Sequence, residues 1–147
     1  MKDKELTLCL KNDDALVLKS LLKEKEIEVY LINGYALYEC VQQKAENCLK
    51  LLLKELKVMP SMADNYVDLE TIKNNDMELL KIFLKDSKVD PAKSSNLLIK
   101  EAKIINNEVA ISLLWEEEKV KATLKKDDLS LYTYLKRKDV NKKLKKF

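Results

Sequence analysis

The chain has 147 residues and a formal net charge of +3 at pH 7, and 36% of its residues are charged while 6% are aromatic. With one Gly and two Pro, it is too poor in turn-forming residues for an all-β fold with many tight turns. The absence of His excludes Ser-His-Asp and Cys-His catalysis, histidine general bases and histidine metal sites.

No apolar run approaches the length of a signal-peptide core or of a membrane-spanning helix. Cys9, Cys40 and Cys48 form an odd set without CxxC spacing, which argues against a disulfide framework and against a zinc site. We therefore expect an intracellular, cytoplasmic protein in reducing surroundings, with no membrane partner.

Sequence elements recur at a constant i, i+31 spacing. An apolar pair marks the register, as Leu21-Leu22, Leu52-Leu53, Phe83-Leu84 and Leu114-Trp115. This spacing predicts repeat units at 3–33, 34–64, 65–95 and 96–126, followed by a partial capping unit at 127–147. No linker interrupts them, so the units are expected to form a single domain over 1–147.

Each unit has the pattern of two helices joined by a short turn. First helices are predicted at 35–43, 66–74 and 97–105, where small or apolar residues four apart share one face. Second helices are predicted at 46–56, 77–86 and 108–118, where an i, i+1, i+4, i+5 stripe is apolar. Lys44, Asn75 and Asn106 lie between them, and Asn tolerates the left-handed conformation that ends helices.

A hairpin of two short helices cannot bury its apolar stripe alone. Copies must therefore stack and share one elongated core. The fold predicted from this requirement is an all-α solenoid of stacked helix-turn-helix repeats.

These units resemble ankyrin repeats, whose period is about 33 residues and whose unit is a β-turn followed by two antiparallel helices. The likeness lies in Val89-Asp90-Pro91, in Asp64-Asn65-Tyr66 with Ser95-Asn96-Leu97, and in Leu51-Leu52-Leu53. No unit contains the Thr-Pro-Leu-His tetrapeptide, and the Gly usual between the helices is replaced, which allows looser turns. The resemblance implies protein binding through the loop tips and the outward face of the first helices.

A row of first-helix residues is the candidate protein-binding strip, because its members recur four apart and are expected to point away from the buried stripe. Mixed aromatic, apolar and polar groups on a rigid scaffold suit a protein partner. The alternative is that Leu69 and Ile104 belong to the core between repeats. The strip comprises Tyr38, Gln42, Leu69, Lys73, Lys100 and Ile104.

Three glutamates, Glu39, Glu70 and Glu101, recur once per unit. Catalysis by paired acids would require two of them to face one pocket, with one held protonated. A structural or solvated role is therefore expected, and no catalytic residue is assigned.

Trp115 takes the position that Leu53 and Leu84 occupy in other units, which favours core packing over an exposed hot spot. Cys9 and Cys40 match each other in the same register. They are expected to be small buried residues and not reactive thiols.

The segment 136–147 holds seven Lys or Arg and one Asp. Its charge of +6, against +3 for the whole chain, leaves the remainder at −3, and no basic stripe is expected there. Such a segment suits nucleic acid, an anionic membrane or an acidic protein surface. The alternative is a solvated final helix that closes the stack with Val140, Leu144 and Phe147.

The expected function is a non-enzymatic protein–protein interaction module that binds one partner, in its sharper form as a competitive inhibitor. The Lys-, Asn- and Ile-rich composition suggests an AT-rich genome and a viral or microbial protein that acts on a host or defence protein. The alternative is a nucleic-acid-associated protein that uses the basic segment. No cofactor, metal or small-molecule substrate is expected.

Overall fold

A computed structural model describes residues 2–58, 60 and 67–145, and all regular elements within them are helical. The all-α prediction is therefore confirmed, while the Asp64-Asn65-Tyr66 part of the ankyrin likeness lies outside the described residues. None of the helices in these residues has both the length and the apolar character needed to cross a membrane. A 3₁₀ turn lies at Lys25–Ile27, and the α-helices are α1 Lys2–Lys11, α2 Ala15–Leu21, α3 Glu28–Ile32, α4 Tyr35–Gln43, α5 Glu46–Leu53, α6 Val67–Lys73, α7 Met77–Lys85, α8 Lys93–Ile104, α9 Glu108–Trp115, α10 Glu118–Asp127 and α11 Leu129–Lys145.

The chain divides into two compact units, Met1–Val89 and Asp90–Phe147. In the first unit, α1 with α2, α4 with α5, and α6 with α7 form three hairpins. Helix α1 packs on α4 and α4 on α6, while α2 packs on α5 and α5 on α7. Neighbouring hairpins of this unit therefore lie side by side in chain order, with their first helices in one layer and their second helices in another.

The predicted helix at 35–43 is reproduced in full, whereas the one at 46–56 ends early, at Leu53. After Leu53 the backbone hydrogen bonds span three residues instead of four: Lys54 N–H donates to Leu51 O, and Glu55 N–H donates to Leu52 O. This tightening over three residues ends the α-helix one turn before the predicted boundary.

The apolar stripes on the second helices of the first unit are buried as their pattern predicts, except that Leu84 is half-buried. Burying one Leu or Phe side chain completely contributes about 1.5–3 kcal/mol. The fully or nearly fully buried members are Cys48, Leu49, Leu52 and Leu53 on α5, and Leu79, Leu80 and Phe83 on α7.

One turn geometry recurs at the end of the first helix of each hairpin. In the second hairpin, Lys44 is left-handed (φ 56°), its N–H donates to Val41 O, and Ala45 N–H donates to Cys40 O at 2.9 Å. These nested bonds satisfy carbonyls that the helix end leaves free. The left-handed residues lie 31 apart, at Asp13, Lys44, Asn75 and Asn106. The predicted turn positions are thus confirmed, and the replacement of Gly has not loosened them.

Helix α5 is held at both ends by side chains from neighbouring hairpins. At its N-terminus, the Asp13 carboxylate accepts hydrogen bonds from Cys48 N–H at 2.9 Å and from the backbone and side-chain nitrogens of Asn47. At its C-terminus, Lys88 Nζ donates to Leu53 O at 2.6 Å. The same ammonium also donates to two carbonyls of the following turn. Both contacts are charge-assisted, so they are stronger than neutral hydrogen bonds.

In the second unit, α8 packs on α9 and α10, and α10 packs on α11. Ser94, Ser95 and Asn96 are all left-handed, so the right-handed part of α8 begins after Asn96, close to the predicted start at 97. The buried Asn96 side chain donates to Thr123 Oγ1 at 2.8 Å and to Asp127 Oδ2 at 2.7 Å on α10. These two bonds fix the entry of α8 against its neighbour.

The buried apolar residues of helix α11 lie in its first half. Leu131 and Leu135 are buried, but Val140 and Leu144 are 52% and 65% exposed. The expectation that Val140 and Leu144 close a stack is therefore wrong, because the helix runs past the residues that it packs against; Phe147 lies outside the described residues. From Lys136 onward, α11 is a mostly solvated, basic helix.

Candidate functional site

In the first unit, the predicted strip places three exposed side chains on two helices that pack together. Tyr38 and Gln42 lie on α4, with Tyr38 43% exposed, and Lys73 lies on the adjacent α6. The opposite side of α4 is buried in the core, so its backbone is fixed by packing. A tyrosine, an amide and an ammonium therefore share one solvent-facing layer.

Leu69 belongs to the core, as the alternative interpretation held. Its side chain is 7% exposed, so it is not available to a partner in this conformation. Its backbone N–H is bonded to Asp68 Oδ1, and Asp68 is itself buried. The four-residue spacing does not separate it from Lys73, because the short α6 is buried over most of its length.

In the second unit, Lys100 is half-buried and Ile104 is 71% exposed. Placing Ile104 in the core between repeats is therefore wrong. Ile104 is the last residue of α8, and Ile105 beside it is also exposed. Two adjacent exposed isoleucines form a small apolar surface at this helix end.

The three recurrent glutamates lie on the first helices α4, α6 and α8. Glu39, Glu70 and Glu101 are each half-buried, and Glu70 lies 4.0 Å from the Lys73 ammonium in a weak ion pair. Within the same part of the chain, no three His, Cys, Asp or Glu side chains are grouped so that they could hold a metal ion.

All three cysteines are free and buried. Burial raises the pKa of each thiol above its ordinary value near 9, most strongly for Cys40 and Cys48. A protonated, enclosed thiol is a poor nucleophile. The interpretation of Cys9 and Cys40 as small buried residues is confirmed.

Trp115 is a core residue, as predicted. It is 4% exposed, its indole N–H donates to Asp139 Oδ2 at 2.6 Å, and its ring meets that of Tyr132 edge-on with centroids 5.9 Å apart. The hydrogen bond satisfies the one polar group of the side chain, which makes burial favourable.

A basic surface that the sequence interpretation missed lies on the second helices of the first unit. Six exposed lysines occupy it, two on or just after each of α2, α5 and α7. These lysines lie outside 136–147, where no basic stripe was expected. The i, i+31 spacing could have revealed it, because the pairs are in register. We call this surface the lysine face, and it consists of Lys19, Lys23, Lys50, Lys54, Lys81 and Lys85.

Between α5 and α7 the lysine face contains a groove with a volume of about 420 Å³. Its apolar lining comes from Leu53 and Ile82. Its charged lining comes from both helices and consists of Glu46, Lys50, Lys54, Glu78, Lys81, Lys85 and Asp86.

The basic C-terminal half of α11 is a separate exposed surface, in the second unit. Lys136, Arg137, Lys142 and Lys143 are all solvent-facing. Lys138 is partly engaged, since its ammonium lies 3.5 Å from Glu108 Oε2 and over the ring of Tyr134.

The chain was compared with models of known protein families, with curated proteins and with solved structures, and none of the three comparisons gave a match.

Proposed function

We propose that the protein is a non-enzymatic module that binds another protein through a rigid stack of ankyrin-like helical hairpins. Two observations support the stack: the neighbouring hairpins of the first unit lie in chain order, and the same left-handed turn recurs in the i, i+31 register. A solenoid built in this way presents an extended surface.

The observation that carries the proposal is the placement of Tyr38, Gln42 and Lys73 on adjacent helices. Tyr is enriched at interface hot spots because it combines a large apolar area with one polar group. The α4 backbone beneath it is fixed by core packing and by the turn at Lys44. Little conformational entropy would therefore be lost on binding, which favours affinity.

The module would act by covering a surface of one partner and competing with that partner's other ligands. Leu69 is left out of the proposed surface, since it is buried. Three buried thiols suit a reducing compartment, which supports a cytoplasmic site of action. Action on a host or defence protein remains part of the proposal.

The test is affinity capture from the native source with the wild-type chain and with Tyr38→Glu/Lys73→Glu. We expect the variant to lose the captured partner by about tenfold or more. Val29→Glu/Lys25→Glu is the matched control, since it changes one exposed apolar residue and one exposed lysine elsewhere in the same unit. Equal capture by the wild type and the strip variant would contradict the proposal.

A second candidate function is association with nucleic acid through α11, favoured by the exposure of Lys136, Arg137, Lys142 and Lys143 on one helix. Binding to a duplex oligonucleotide would then fall steeply with salt, with a slope of about −0.9 for each phosphate neutralised. Lys142→Gln/Lys143→Gln should reduce the magnitude of that slope by about two. Measurement of fluorescence anisotropy over a salt series tests this.

A further inference from the structure

The lysine face is ordered by the packing of the first unit. Helices α2, α5 and α7 lie side by side, and a lysine pair four residues apart lies on or just after each of them. Packed helices lie about 8–10 Å apart, and residues four apart on one helix are about 5–6 Å apart at Cβ. The six ammonium groups are therefore arranged as three neighbouring pairs on one layer of helices.

Helix capping does not account for the lysine pair on α5. Lysines in a last turn do interact favourably with the helix dipole. The carbonyl of Leu53, at the end of α5, is however already bonded to Lys88, whose ammonium also reaches Glu55 O and Val58 O. Lys50 and Lys54 are exposed and leave their charge to solvent or to a ligand.

The groove between α5 and α7 limits what that ligand can be. Its apolar lining, Leu53 and Ile82, is flanked by Lys50 and Lys54 on one wall and by Lys81 and Lys85 on the other. The lysine pairs attract negative charge, while the apolar lining gains from contact with an apolar side chain.

The acidic residues in the groove favour a peptide over a nucleic acid. Glu46, Glu78 and Asp86 also line it, and they would repel an uninterrupted row of phosphates. A peptide can place its carboxylates beside the lysines and leave the acidic positions to neutral side chains. Lys81 pairs with Glu78 at 3.2 Å, but the pair is solvent-exposed and is therefore easily exchanged.

We propose that the lysine face binds an acidic amphipathic segment of a partner protein. An apolar side chain of that segment lies against Leu53 and Ile82, and its carboxylates pair with the lysines of α5 and α7. Lys19 on α2 and Lys23 just after it extend the positive field and steer the segment to the groove. This surface lies on the second helices, whereas Tyr38 and Lys73 lie on the first, so either surface can fail its test alone.

The probe is a fluorescein-labelled synthetic helical peptide with a leucine stripe among glutamates, titrated by fluorescence anisotropy. We expect Lys50→Glu/Lys81→Glu to weaken binding by about tenfold or more, because charges beside the groove are reversed. The matched control is Lys4→Glu/Lys11→Glu, which makes the same charge change on exposed positions of α1. It should change the dissociation constant by less than about twofold.

A second peptide, with its leucines replaced by serine, separates groove binding from general charge attraction. We expect it to bind about fivefold or more weakly, since it cannot fill the apolar lining. Circular dichroism of each protein variant verifies folding before titration. The proposal is overturned if both lysine variants weaken binding equally, or if the serine peptide binds as well as the leucine peptide. It is also overturned if duplex DNA displaces the labelled peptide at a lower concentration than the unlabelled leucine peptide does.

Discussion

Helices α5 and α7 occupy equivalent places in successive hairpins, yet their ends are secured in different ways. Asp76 directly precedes α7 and accepts the Leu79 N–H through its own side chain, at 3.2 Å. The equivalent residue before α5 is Ala45, whose side chain has no acceptor. The side chain of Asp13, from the preceding hairpin, accepts the Cys48 N–H in its place. Helix α7 is capped by the residue that precedes it in sequence, whereas α5 is capped by a residue of another hairpin. The start of α5 therefore depends on the hairpin before it.

The largest effect on stability is expected from the C-terminal contact of α5. Replacing Lys88 by Met removes three hydrogen bonds to backbone carbonyls and keeps most of the side-chain volume. We expect the free energy of unfolding to fall by about 2–3 kcal/mol, because hydrogen bonds to charged groups are the stronger class. Urea unfolding followed by circular dichroism measures this.

Lys57→Met is the matched control for Lys88→Met, since Lys57 occupies the equivalent position one repeat unit earlier. Among the described residues, its ammonium contacts Glu28 in an exposed ion pair, at 3.1 Å. Its loss should cost about 0.5 kcal/mol or less. Similar losses for the two variants would show that the carbonyl contacts of Lys88 add nothing.

The N-terminal contact gives the next largest effect. Asp13→Ala should lower the free energy of unfolding by about 1–2 kcal/mol, because two backbone N–H groups of α5 and one side-chain amide lose their acceptor. Asp76→Ala removes one such bond from α7 and should cost about 1 kcal/mol. A larger loss from Asp76→Ala would reverse the comparison.

Thiol labelling reports the same difference locally. Cys48 lies at the start of α5, and burial raises its pKa above the ordinary value, so the thiolate forms mainly when this end opens. In a Cys9→Ala/Cys40→Ala background, Asp13→Ala should speed the reaction with 5,5′-dithiobis(2-nitrobenzoic acid) at pH 8 by about tenfold. Asp76→Ala should leave the rate unchanged within about twofold. Equal acceleration by both would mean that the two helices open together.

The smallest effect tests whether a local cap can replace the distant one. Ala45→Asp in the Asp13→Ala background gives α5 the same kind of cap that α7 has. We expect it to recover about 0.5–1 kcal/mol of the lost free energy of unfolding. Thermal unfolding of the single and double variants measures the recovery, and no recovery would indicate that Asp13 acts by joining the hairpins and not by capping.

Local signals in the sequence predicted the local features of the fold. The second-helix stripes, the turns at Asn75 and Asn106 and the burial of Trp115 follow from residue type and spacing alone. The capping of α5 could not be predicted in this way, because Asp13 and Asn47 are 34 residues apart and meet only when hairpins pack. Lys88 is hidden for the same reason.

The candidate surfaces were predictable only in part. The four-residue spacing correctly predicted that Tyr38 and Gln42 are exposed. It did not reveal that Leu69 on α6 is buried, since burial depends on the neighbouring helix. For the lysine face, the net charge of the chain was misleading. The chain outside 136–147 sums to −3, and that sum conceals lysines that recur on one layer of helices.

The left-handed run at Ser94, Ser95 and Asn96 restricts which mutations this chain can accept. A residue with a branched Cβ is strained there, since the left-handed conformation costs an ordinary L-residue about 1–2 kcal/mol. Gly and Asn are tolerated at Ser94 and Ser95, whereas Asn96 must also keep its amide for Thr123 and Asp127. In a deep mutational scan, Ser94 and Ser95 should therefore accept Gly and Asn, Asn96 should not accept Gly, and all three positions should reject Val and Ile.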